Sequence, residues 1–174
     1  MKIKKIFCFI FFGLLVGFLS VRAQTKEPIE PVNWKELVPF LVDLQGWNTE
    51  GDAVGRTMSM GTFSMSQAER SYSLEEKSFK INLVDGGYAP MIYAGIKMAM
   101  SMEIDTSDEY IKKLTIKGYP GAEKYSRKDK SVDIIILIID RFYIQIEGKN
   151  FSDTSDLIAV AKTLDLEGIA KLEK

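Results

Sequence analysis

The sequence predicts an α+β domain in which an antiparallel sheet is packed by an amphipathic central helix and a C-terminal helix, in the order (α)-ββ-α-βββ(β)-α. Three observations carry that expectation. Phe79-Lys-Ile81-Asn-Leu83 alternates apolar and polar residues with the period of a half-buried strand. Ile134 to Ile139 is an unbroken run of six aliphatic residues, the composition of a strand covered on both faces, and Phe142, Ile144 and Ile146 then alternate with polar neighbours as its returning partner. Between these strands, Pro90 opens a helical stretch running to Met102, and a proline in the first turn gives up no needed donor.

In chain order, Asn33 has the spacing of a helix cap with Glu36 three residues on, and Pro39 limits that helix to one or two turns. Asp43 to Trp47 reads as a turn ending in a large aromatic. The stretch from Arg56 is β-like, and Ala68 to Leu74 pairs with Phe79 to Leu83 as a hairpin across Glu75-Glu76-Lys77. On the central helix, Tyr93, Lys97 and Ser101 fall on one face and Met91, Ala94, Met98 and Met102 on the other, so the methionine stripe is expected to pack on the sheet. Tyr110 to Lys117 is a strand, Gly118-Tyr-Pro-Gly121 a turn and Ala122 to Ser126 a short strand. Asp140-Arg141 is then a two-residue hairpin turn within the central pair. The last helix starts near Asp153 to Ser155 with Leu157, Ala161 and Leu164 on one face, and Leu166 to Ala170 is a polar turn.

The first residues are an address. Lys2, Lys4 and Lys5 precede a 14-residue apolar stretch, Ile6 to Leu19, and Val21-Arg22-Ala23 supplies small residues where a signal peptidase reads. Cleavage is expected between Ala23 and Gln24, and 14 apolar residues fall short of the roughly 20 that a spanning helix needs. No stable membrane anchor is expected after cleavage. The chain thus divides into a secretory signal peptide at 1–23, a flexible leader at 24–32 and a single domain at 33–174. The periplasm or the exterior is the expected destination.

Composition narrows the chemistry. The 174 residues hold 23 basic and 24 acidic side chains, one cysteine and no histidine. The signal takes four basic residues and Cys8 with it, so the remaining chain carries an excess of five acidic residues and lacks both cysteine and histidine. Disulfides, histidine catalysis and thiolate metal sites are excluded for it, and an acidic balance opposes nucleic-acid binding and adhesion to anionic membranes.

Three constellations bear on function. Met98-x-Met100-x-Met102 has the look of a copper-binding run, but helical spacing points Met100 away from the other two, so core packing is expected and no metal or cofactor. Asp85, Asp105 and Asp108 are the candidate carboxylates for a hydrolase, though aspartates at element ends also cap and turn. Trp47, Arg70, Tyr72, Tyr88, Tyr93, Tyr119 and Arg141 are aromatic and basic residues of the kind that recognition surfaces favour.

The element order is similar to the Mog1/PsbP-like α/β architecture. The local patterns Ala68-Glu-Arg-Ser-Tyr72, Ile81-Asn-Leu-Val-Asp85-Gly86, Gly118-Tyr-Pro-Gly121 and Asp140-Arg141-Phe142 resemble uncharacterised exported bacterial proteins. The resemblance implies a non-catalytic domain that docks on another envelope component. The expectation is therefore an exported binding or docking domain of the bacterial cell envelope, with an envelope protein or a small ligand as partner. The alternatives are a carboxylate-dependent hydrolase and a structural envelope protein without a small ligand.

Overall fold

A computed structural model describes residues 29–61, 63–87 and 90–173, and it is an α+β fold built on one antiparallel sheet. A single helical turn, α1 (Trp34–Leu37), is capped by Asn33, whose side chain accepts from the Lys35 N–H at 3.0 Å, and Pro39 diverts it into a 3-10 turn at Val38–Phe40. The strands are β1 (Asn48–Thr49), β2 (Val54–Met60), β3 (Phe63–Leu74), β4 (Lys77–Asp85), β5 (Ile104–Asp105), β6 (Glu109–Ile116), β7 (Tyr119–Ser126), β8 (Ser131–Ile138) and β9 (Phe142–Lys149). The helix α2 (Pro90–Ser101) divides the strands, and α3 (Ser155–Thr163) and α4 (Leu166–Ala170) close the chain. Spatial order is β1-β3-β4-β9-β8-β7-β6-β5, with β2 lying along β3 on the same side as β1.

The sheet's two faces differ. Inner-face residues of the central strands, among them Ile81, Leu83, Ile134, Ile136, Ile144 and Ile146, are 0–1% exposed and form one core with α1, α3 and α4. On the outer face α2 covers only one end, where Tyr93 and Ile96 meet Leu137, with Ile135 and Tyr143 beside them. The other end of that face is polar. Ile134 to Ile138 of the aliphatic run therefore do sit mid-sheet with cover on both sides, while Ile139 lies beyond the strand and is exposed.

Several finer expectations need correcting. Four strands rather than two precede the central helix, because the β-like stretch from Val54 makes its own hairpin with β3 around Gly61, which sits at φ +63°. The β6–β7 turn is Lys117-Gly118, both at positive φ, and Tyr119-Pro120-Gly121 already belongs to β7; glycine is what lets the two-residue turn take the hand that suits twisted strands. The β8–β9 connection is Ile139-Asp140-Arg141, since Ile138 pairs with Phe142, and Ile139 and Asp140 both lie at positive φ. Leu166 and Ile169, expected in a polar turn, are buried on the helix α4.

The methionine stripe also faces the other way. Tyr93 and Ile96 turn to the sheet while Met98 is 69% exposed, because the Tyr93 hydroxyl finds buried partners: it accepts from the Gly86 N–H at 3.1 Å and donates to the Arg141 carbonyl. Residues 1–28, including the signal and the Ala23–Gln24 junction, lie outside the described residues. Of the leader expected to be flexible, residues 29–32 are tied down: the Val32 N–H donates to Asp85 at 2.9 Å and the Glu30 carbonyl accepts from Arg141 at 3.3 Å. No described helix is long and apolar enough to cross a membrane.

Candidate functional site

The segment 41–47 leaves the 3-10 turn and crosses the end of the inner face, where two β3 side chains fix its backbone. Arg70 donates to the Leu41 carbonyl and to the Asp43 carboxylate, each at 2.7 Å, and the Tyr72 hydroxyl donates to the Val42 carbonyl at 2.9 Å. Tyr72 is fully buried, which pushes its phenol above the usual range, and its ring stacks on Phe79 with centroids 4.9 Å apart. Trp47 ends the segment. Its ring meets Phe79 edge-on at 4.7 Å and lies 6.1 Å from Phe151.

Across from this segment stands α3. Gly148 on β9 leaves the space that Leu157 and Phe151 fill, since a Cβ there would lie 2.5 Å from Leu157, and this close approach sets α3 against the sheet. Between them runs an open groove of about 660 Å³ whose walls include Val42, Leu44, Trp47, Leu74 and Val160. Val42 and Leu74, 49% and 40% exposed, present apolar surface at its edge. One rim is charged: Lys77 bridges Asp156 at 2.7 Å, and this bond raises the Lys77 ammonium above its ordinary range. The groove can take an apolar group and offer charges of both signs beside it.

The structure thus brings Trp47, Arg70 and Tyr72 together and places the other candidates elsewhere. Trp47 lines the groove; Arg70 and Tyr72 hold its wall and are not themselves contact residues. Tyr93 and Arg141 meet in a separate, buried knot. There Arg141 forks onto Asp85 at 3.2 and 2.9 Å, and Asp85 also accepts from the Val32 and Gly87 N–H groups. With Asp85 0% and the Arg141 side chain 6% exposed, both groups are spent on each other and on backbone. Tyr119 sits half-buried beside the β6–β7 turn, and Tyr88 lies outside the described residues.

Asp85 lies far from the other two candidate carboxylates. Asp85 is on β4 and Asp105 on β5, five strand spacings apart, about 24 Å, against the 5 to 9.5 Å a glycosidase-type pair requires. Asp105 bridges Arg127 at 3.0 Å, and Asp108 is exposed in the β5–β6 turn. The carboxylates that do neighbour each other, Asp133 and Glu147, are directly paired on the open outer face and share the Gln145 amide, which donates to them at 3.2 and 3.1 Å. Burial raises the Asp133 carboxyl, and the charge of Glu147 adds to that. Only the strand register could have found this pair. Among the described residues no three or more histidine, cysteine or acidic side chains gather as a metal site.

Neither a protein-family model, nor a curated protein, nor a solved structure matches the chain. The groove's other lining residues were not visible in the sequence because α3 and the 41–47 segment are more than a hundred residues apart.

Proposed function

We propose that the chain is an exported, non-enzymatic docking domain of the bacterial cell envelope, and that the groove between residues 41–47 and α3 takes an apolar side chain of a protein partner. Export rests on the signal-like residues 1–23. The observation that carries the docking reading is the construction of the groove: Trp47 is braced by two aromatic rings, and the backbone of its own segment is fixed by Arg70 and Tyr72 at Leu41 and Val42. A preformed wall costs little ordering on binding, and tryptophan, which Trp47 supplies to this wall, is a residue type that dominates interface energetics. The groove is only partly enclosed, whereas a small-molecule site buries most of its ligand, which favours a protein segment as the occupant.

The non-enzymatic reading is supported by the commitment of Asp85 to Arg141 and by the wide separation of Asp85 from Asp105. Capture from envelope extracts, using protein purified after expression of the full chain, tests the proposal. The expected outcome is a discrete partner retained by the wild type and lost with Trp47→Ala, while both proteins melt cooperatively. Equal retention by the two would overturn the assignment of the groove.

A further inference from the structure

We infer that β2 is a self-pairing edge, through which two copies of this chain join their sheets antiparallel about a two-fold axis at Thr57. Among the described residues β2 pairs only with β3, so along Val54–Met60 the backbone donors and acceptors of alternate residues, those turned away from β3, have no strand partner. Exposed edges normally carry devices that block such pairing: short strands, lysines, prolines or bulges. The opposite edge of the sheet has them, since β5 is only two residues long and β6 carries Lys112 and Lys113. β2 has none. Its sequence, Val-Gly-Arg-Thr-Met-Ser-Met, lacks proline and lysine, and its register with β3 runs unbroken from Val54 to Met60.

The side chains fix which partner fits. Centring the axis on Thr57 uses the whole strand and sets Arg56 opposite the other copy's Met58 and Val54 opposite its Met60. Shifting the centre to Arg56 would instead face two guanidinium groups, a destabilising like-charge pair. In the Thr57-centred register, Val54, Met58 and Met60 all point to the outer face, with Met65 and Phe63 alongside on β3. These three are 57%, 41% and 78% exposed in the single chain, and pairing sets Val54 against Met60 of the other copy and Met58 against its Arg56. On the inner face the Thr57 hydroxyl, already 2.7 Å from that of Ser66, meets its own copy, so the hydroxyl row continues across the junction.

The surface is thus self-complementary in backbone, charge and apolar contact, which is what an isologous interface requires. The test is sedimentation velocity over a concentration series on the purified protein, with charge variants at an exposed position. Met58→Lys puts a like charge against Arg56 of the other copy, twice by symmetry, and is expected to weaken dimerisation by about tenfold; Met58→Glu places an opposite charge there and is expected to tighten it. Arg56→Glu combined with Met58→Lys should restore the pairing. All three variants are checked for unchanged thermal unfolding. A wild type that stays monomeric at every concentration, or a dimer that responds in the same direction to Met58→Lys and Met58→Glu, overturns the inference.

Discussion

Arg141 and Asp85 show what single residues contribute to this fold. Two charges are almost wholly removed from water, and each is compensated: the fork onto the carboxylate, two backbone N–H groups on Asp85, and the Glu30 carbonyl on Arg141. The pair joins the end of β4, the β8–β9 connection and residues 30–32. Arg141→Ala leaves a buried carboxylate without its counter-charge and is expected to cost about 3–5 kcal/mol in urea unfolding. Removing Asp85 as well should cost less than the two single losses added together, because no charge is then left alone. Asp133 poses the opposite case. Burial raises its carboxyl above the ordinary 3.8, so the folded protein holds that proton more tightly than the unfolded chain does. Stability from this group therefore falls as pH rises through 3.8 and the raised value, and the loss is complete above both. Asp133→Asn is expected to melt higher than the wild type near neutral pH, with the difference closing in acid.

At the scale of elements, the groove wall depends on β3 reaching across to residues 41–47. Arg70 makes two charge-assisted bonds to that segment from a mostly buried position. Arg70→Ala is expected to speed amide exchange within residues 41–47 by on the order of tenfold or more, with the β8–β9 core unchanged; uniform acceleration would show that Arg70 supports the whole fold instead. Elements with strong local patterns were legible in the sequence. Alternation defined β4 and β9, the aliphatic run defined β8, and Asn33 with Pro39 delimited α1. Connections were less legible, because their conformation is imposed from elsewhere. Ile139 is β-branched and sits at φ +49°, against its local preference, since Ile138 must pair with Phe142 and Arg141 must reach Asp85. The inward face of α2 was misread for the same kind of reason: a tyrosine hydroxyl with two buried partners holds Tyr93 against the sheet, and Met98 is left exposed.

Over the whole molecule, the sheet carries three surfaces of different character. The inner face is sealed, the outer face is apolar under α2 and polar beyond it, and one edge is guarded while the other is open. The groove lies where the sealed face ends, at the meeting of residues 41–47 with α3. Its site was legible only in part: Trp47, Arg70 and Tyr72 were singled out for their chemistry, but their joint role needed the long-range pairing of β3 with residues 41–47. Val42 marks the groove's edge, exposed and with only its carbonyl engaged by Tyr72. A photo-reactive side chain at position 42, activated in cells expressing the full chain, asks directly whether this groove is occupied. A discrete protein adduct that disappears with Trp47→Ala is expected. No adduct, or one that persists unchanged in the Trp47→Ala background, contradicts the groove as the docking site.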